Sequence, residues 1–228
     1  MARRVPSPQP RSAGTAEAVF QRLVAAVLAG QLPAGQPVRE AQLARRWRVS
    51  RTPMREAVRR AAEAGFLILR PNQAPLVRAL SDADIDALYD LRGLLELHAF
   101  ELAWPRFTDA AIKELVAQAQ TVAVGKPSWQ QRCLELDRAL HEFWLGRCGN
   151  PWLERDLRRH YQFLRIFQRW AGQDETGLRQ AYREHLAVLD AIQHGDRGTA
   201  TNLLREHIAA SAAIVKAARA RAEQKEAA

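Results

Sequence analysis

The run Val49-Ser50-Arg51-Thr52-Pro53-Met54-Arg55-Glu56-Ala57 constrains the fold more than any other part of this chain. A short amphipathic segment, 39–47, precedes it, and the run opens a second one that lasts until Gly65. Two helices joined by a tight turn, with hydroxyls and arginines at the start of the second, predict a helix-turn-helix. That motif sets a helix N-terminus and its first-turn side chains against base edges and phosphates. Pro53 is compatible with it because it falls in the first turn, where its missing N–H has no intrahelical acceptor to lose.

The flanks complete a known supersecondary unit. A first helix is expected over about 15–29, with Val19, Leu23 and Val27 among the apolar residues of one face and Gly30 ending it. Leu32-Pro33-Ala34-Gly35 reads as a turn. Downstream, 67–70 and 76–79 read as short strands around a turn at 71–75. Three helices and a terminal hairpin make a winged helix over residues 15–80. Met54, Ala57, Val58 and Ala61 form the expected inner face of the second motif helix.

Charge supports that reading. The net charge of +9 is concentrated at one end: residues 1–80 hold 14 Lys and Arg against 4 Asp and Glu, and the rest of the chain is close to neutral. A basic module joined to a neutral partner fits nucleic-acid binding better than a solvated face without a partner. Residues 1–14, basic and rich in Pro and Ser with no apolar core, read as a disordered tail and not as a signal peptide. No segment has the apolar length of a membrane span, so no membrane partner is expected. Cys133 and Cys148 are too far apart for a CxxC site and suggest reduced thiols in a cytoplasmic protein.

Beyond a boundary near Leu80, no stretch reads as a strand. Ser81-Asp82-Ala83-Asp84 resembles a capping box. Helical patterns follow over 82–103, 108–123, 128–147, 151–171, 174–194 and 196–222, separated by Pro105, Gly125-Lys126-Pro127, Gly149-Asn150-Pro151, Gly172 and Gly195. Short connections between six helices predict an antiparallel bundle over 81–222, with 223–228 left as a tail. The fold class expected is therefore mostly α, a winged helix-turn-helix followed by a helical bundle.

Within the first unit, Ser50 or Thr52 can cap free backbone N–H groups, and Arg51 and Arg55 project four residues apart from one helix face. A guanidinium fork matches O6 and N7 of guanine, worth roughly 1–3 kcal/mol of discrimination. Arg45, Arg46 and Arg48 are better placed for phosphates, which fix register without reading sequence.

The bundle has a signal of its own. Asp137 and His141 sit four apart within the apolar stripe Cys133, Leu136, Leu140, Trp144. His185 lies among Leu178, Tyr182 and Leu189, and His207 among Leu203, Leu204 and Ile214. One carboxylate and three imidazoles thus point where a bundle should be apolar, which calls for donors, cations or a metal. A three-nitrogen, one-oxygen set without thiolate suits Zn first, with Ni, Mn or Fe as alternatives, and leaves positions for a ligand carboxylate. His98 and His194 have no comparable partners, and His160 reads as packing. Arg92 also points inward, either paired with Glu96 four residues on or held ready for an anionic ligand.

Residues 20–80, with Leu43-Ala44 ahead of the Val49–Ala57 run, resemble the winged helix of GntR-type bacterial transcription regulators. Leu91-Arg92-Gly93-Leu94-Leu95-Glu96, Asp137 and His141, Gly149-Asn150-Pro151, Glu184-His185 and Glu206-His207-Ile208 are similar to the all-helical FCD effector domain of the FadR-like branch. The resemblance implies that Arg51, Thr52 and Arg55 contact a short palindromic operator, bound by a homodimer. It implies that Asp137, His141, His185 and His207 hold a divalent metal, and that Arg92 and Asn150 contact a small organic acid. The expected function is that of a ligand-responsive regulator, a repressor in sense. A metal-dependent enzyme with a DNA-binding appendage, or a metal-free acyl-ligand sensor, are the alternatives. Two positions depart from the family pattern: Arg48 stands where the turn usually has Gly, and Gln73-Ala74 stands at the wing tip where an Arg/Gly-type pair is usual.

Overall fold

A computed structural model describes residues 15–171 and 174–227, and the side chains of all of these except 166, 168–171, 222–223 and 225–227. The expected disordered tail at 1–14 and the expected stop at Gly172 lie outside the described residues. The chain divides into two compact units between Ala79 and Leu80.

The first unit begins with α1 (Ala16–Leu28), capped by Thr15, whose hydroxyl accepts the Ala18 N–H at 3.2 Å. The pair α2 (Glu40–Trp47) and α3 (Arg51–Glu63) follows, then β1 (Leu67–Ile68) and β2 (Leu76–Val77), antiparallel with Leu67 opposite Val77. Met54, Ala57, Val58 and Ala61 are buried on the inner face of α3, beside Val19 and Leu23 of α1 and Leu43 and Ala44 of α2. Burying such a helix face is what stabilises so short an element, since propensity alone leaves helices of this length marginal.

The wing has a third member that the turn reading of 32–35 missed. Gly35 N–H donates to Val77 O at 2.9 Å, Val77 N–H to Gln36 O at 2.9 Å, and Val38 N–H to Pro75 O at 2.7 Å. The segment 35–38 therefore pairs with β2 and ties the first inter-helix connection to the wing. Isolated two-residue strands would leave unpaired edges, and this segment covers one of them.

The second unit is helical throughout: α4 (Asp82–Ala103), α5 (Asp109–Gln120), α6 (Trp129–Leu145), α7 (Pro151–Ala171), α8 (Glu175–Gln193) and α9 (Arg197–Ala227), with a short 3-10 turn at Trp104–Arg106. Ser81 and Asp84 make the reciprocal capping box at the start of α4. The last helix continues through 223–227, the segment expected to be a tail. Its inner face carries Val215 and Ala218 to the end of the buried stripe, and Arg219 donates to Leu80 O at 2.5 Å and Asp82 at 2.7 Å. The core is built from Phe100, Leu136, Leu140, Trp144, Val188, Leu189, Leu204 and Ile208. Among the described residues no helix is long and apolar enough to cross a membrane.

Candidate metal centre and nucleic-acid interface

Three helices that are separate in sequence bring the polar cluster together. Asp137 and His141 project from α6, His185 from α8 and His207 from α9, and one ligand atom from each lies within 4.8 Å of all the others. The Nε2 atoms of His185 and His207 are 3.1 Å apart, and Asp137 Oδ1 is 3.4 Å from His141 Nε2 and 3.5 Å from His185 Nε2. Donors each about 2 Å from one ion lie about 3–4 Å from one another, so the set fits a single metal. The three histidines are buried and Asp137 is half-buried.

Two carboxylates that sequence reasoning did not assign to the site orient its imidazoles. Glu184 Oε2 lies 2.8 Å from His207 Nδ1, and Glu96 Oε1 pairs with His141 Nδ1. A carboxylate can only accept, so in each ring the proton sits on Nδ1 and Nε2 turns toward the cluster. Glu96 is fully buried and also accepts from Trp144 Nε1 at 3.0 Å and from Arg92 Nε at 2.8 Å. Arg92 takes the Glu96 pairing named for it, and its guanidinium is flanked by the rings of Tyr89 at 5.5 Å and Tyr161 at 5.7 Å. Its Nη2 meets His141 Nε2 at 2.9 Å.

The electrostatics favour the ligating forms of Asp137, His185 and His207. Burial alone would raise the carboxyls of Asp137 and Glu96, but the imidazole of His141 and the guanidinium of Arg92 hold both below the usual carboxylate range. Burial and then the charge of His207 push His185 well down; burial, then the charges of His141 and Arg92, push His207 down to about 3. For His141, burial is the largest influence and lowers it, but Glu96 and Asp137 together outweigh burial and leave it raised, so this ring gives up a proton when it binds an ion. Neutral imidazoles and an ionised carboxylate are the species that bind a divalent ion. Cys133, one turn before Asp137, has its thiol pushed up to about 11 by burial, so it does not offer a thiolate.

A cavity of about 310 Å³ opens beside this cluster, lined among others by Tyr89, Arg92, Asp137, His141, Tyr161 and His207. Asn150 is not among its lining residues. Its Oδ1 instead accepts the N–H groups of Trp152 and Leu153, both at 3.2 Å, because the first turn of α7 needs an acceptor there. His160 is buried and bonded to Leu88 O at 2.9 Å, while His98 and His194 are exposed.

In the first unit Arg45, Arg46, Arg48, Ser50, Arg51, Thr52 and Arg55 are all exposed. Ser50 occupies the N-cap position of α3 but makes no side-chain capping bond, contrary to the expectation that it could. The first N–H groups of α3 are therefore left to an external acceptor, which is the usual basis of phosphate binding at a helix start. Arg48 closes α2 in the left-handed region, φ 58° and ψ 43°, the conformation for which the family pattern has Gly. Arg48→Gly should stabilise the first unit by about 0.5–1 kcal/mol in chemical denaturation, by relieving that strain. If Arg48 contacts a phosphate, the same change lowers the log–log salt slope of DNA binding by about 0.9. An unchanged slope would remove it from the interface.

Residues 15–77 match the family model "Bacterial regulatory proteins, gntR family", and residues 86–210 match the FCD domain. The chain belongs to the GntR family. This GntR regulator is 30% identical over 164 residues to the Nta operon transcriptional regulator of Aminobacter aminovorans, covering 69% of this chain and 74% of that one. It is 27% identical over 188 residues to the "Probable D-xylose utilization operon transcriptional repressor" of Paenarthrobacter nicotinovorans, covering 82% and 83%. Its fold is that of E. coli McbR/YncC, with a TM-score of 0.66 at 22% identity over 88% of this chain and 96% of that one. The family and these relatives are transcriptional regulators and not enzymes, so the enzyme alternative falls away.

Proposed function

We propose that this GntR–FCD protein is a ligand-responsive regulator that binds a short palindromic operator as a homodimer and carries a metal-assisted pocket for a small organic acid. One observation carries the reading: a carboxylate and three imidazoles converge within 4.8 Å beside a cavity that also holds Arg92. Asp137, His141, His185 and His207 hold the ion, Zn by donor type, and the metal supplies a Lewis-acidic centre for a carboxylate. Were His141 Nε2 to hold the ion, Arg92 Nη2, which now meets it at 2.9 Å, would be free for the same carboxylate while Arg92 Nε remained on Glu96. Arg51, Thr52 and Arg55 read bases; Arg45, Arg48 and the start of α3 hold phosphates.

Large apolar side chains on the bundle surface, Leu94 and Trp152 each 68% exposed, are what a second copy would cover. Half-sites on one duplex make affinity sensitive to the spacing of two recognition helices, and an effector that favours one spacing over the other shifts binding. Repression is the sense that the D-xylose relative, described as a probable repressor, supports, and relief by the effector is the direction we assign to it. The protein works in the cytoplasm, with the chromosome.

The test uses the metal-loaded full chain and an operator obtained by selection from random duplexes. Arg51→Ala should weaken operator binding roughly 5- to 150-fold, the range for one lost bidentate base contact, and weaken random-DNA binding far less. Operator affinity should respond to an organic acid, and chelation should abolish that response. Equal losses on operator and random DNA would reassign Arg51 to phosphate; a response indifferent to chelator would remove the metal from the mechanism.

A further inference from the structure

The cavity beside the Asp/His cluster carries more positive charge than one carboxylate uses. Four guanidinium groups line it, Arg92, Arg138, Arg158 and Arg165, against the carboxylates of Asp137 and Glu142. Arg92 is neutralised by Glu96 behind it, and Arg158 by Glu142 and by Glu154 at 3.0 Å. Arg138 and Arg165 differ from both. They are exposed, and neither has an ion-pair or hydrogen-bond partner among the described residues.

Both stand on helices that line the cavity. Arg138 is the neighbour of Asp137 on α6, and Arg165 follows Arg158 and Tyr161 along the α7 face that lines the cavity. Both are open to solvent, whereas the three histidines that line the same cavity are buried. The remaining wall is largely apolar, with Leu164, Phe167, Leu178 and Ile214. Tyr161 Oη, also on that wall, is buried without a hydrogen-bond partner. A volume of about 310 Å³ is at the small end for ligand pockets, so an occupant that meets both ends is short.

We propose that the effector is a two-ended anion. One carboxylate sits at the Asp/His cluster with Arg92, and a second anionic group, carboxylate or phosphoryl, is received by Arg138 and Arg165, with a short apolar middle between them. This rests on the metal-assisted organic-acid reading above. Both arginines are exposed, so screening keeps the added gain modest. Two such contacts tighten binding roughly 2- to 30-fold.

Calorimetry on the metal-loaded full chain tests this with pairs matched in length: pentanoate against glutarate, hexanoate against adipate, and 4-phosphonobutanoate as the phosphoryl arm. The dianions should bind roughly 2- to 30-fold more tightly than their monoacid partners. The stronger of glutarate and 4-phosphonobutanoate then identifies the second group. In the double variant Arg138→Gln/Arg165→Gln the ratio of dianion to monoacid affinity should fall to about one, and in Arg138→Lys/Arg165→Lys it should persist. Metal content and helical circular dichroism report whether each variant is folded. Equal affinities for monoacid and dianion in the unaltered chain would overturn the two-ended proposal while leaving the metal–carboxylate reading in place. A metal-replete chain that bound none of these acids would overturn both.

Discussion

Replacing Glu96 with glutamine should cost the effector unit about 3–5 kcal/mol, the range for a buried ion pair that loses one partner. Glu96 is completely buried and Arg92 has only 7% of its side chain exposed, so solvent screening does not soften the loss. The neutral amide leaves the guanidinium without a counter-charge and forces its NH2 group toward either Arg92 or His141, both of which now need an acceptor. For a domain of this size the loss corresponds to a fall in Tm of about 6–20 °C. Chemical denaturation of chelator-treated protein measures it directly. The companion variant Arg92→Met/Glu96→Leu should recover only part of that loss: an apolar pair replaces the desolvated ionic one at little net cost, but Trp144 Nε1 and His141 Nδ1 lose the acceptor that Glu96 gives them. A Glu96→Gln variant as stable as the parent would mean that the Arg92–Glu96–His141 network carries no uncompensated charge when broken.

The second large effect concerns the metal. His185→Ala should lower metal affinity by more than about 100-fold, since loss of an outer partner alone typically costs 10–100-fold. Glu184→Gln supplies that outer-partner comparison in the same protein. It leaves all four donors in place and loosens only the carboxylate that holds His207 Nδ1, so a drop of about 10- to 100-fold is expected. Competition against a chromophoric chelator, with elemental analysis of the purified protein, separates the two. If His185→Ala retains stoichiometric metal at the parent affinity, the donor set is wrong. If Glu184→Gln weakens binding as much as His185→Ala, Glu184 is itself a ligand.

Much of the architecture could be read from the residues because the elements obey simple periods. The inner face of α3 and the apolar stripes of the bundle repeat at helical spacing, and glycine or proline stands between most of the helices. The four donors were visible for the opposite reason: polar groups that break an apolar stripe are costly enough to demand an explanation. What escaped notice lacks either mark. Glu184 is half-buried beside His185, and in sequence it looks like one more charged residue on a solvated face; its contact with His207 spans 23 positions. Glu96 was tied to Arg92 by their i, i+4 spacing, whereas its contact with His141 spans 45 positions and has no local signature. Segment 35–38 pairs with β2 through backbone groups alone, which leave no trace in side-chain pattern. Asn150, for which the resemblance implied a ligand role, has its Oδ1 engaged by a helix start, a local demand that the spacing Asn150-Pro151 already carries.

The spread of the four donors over α6, α8 and α9 gives the bundle a staple that its chain does not contain. A single ion would fasten helices whose sequence positions run from 137 to 207, restricting the unfolded chain much as a cross-link does while remaining removable. The measured robustness of this unit would then track free metal by mass action and not be a fixed property of the polypeptide. Two preparations that differ only in purification history would melt at different temperatures, and a ranking of variants acquires meaning only when the metal activity of the buffer is held constant.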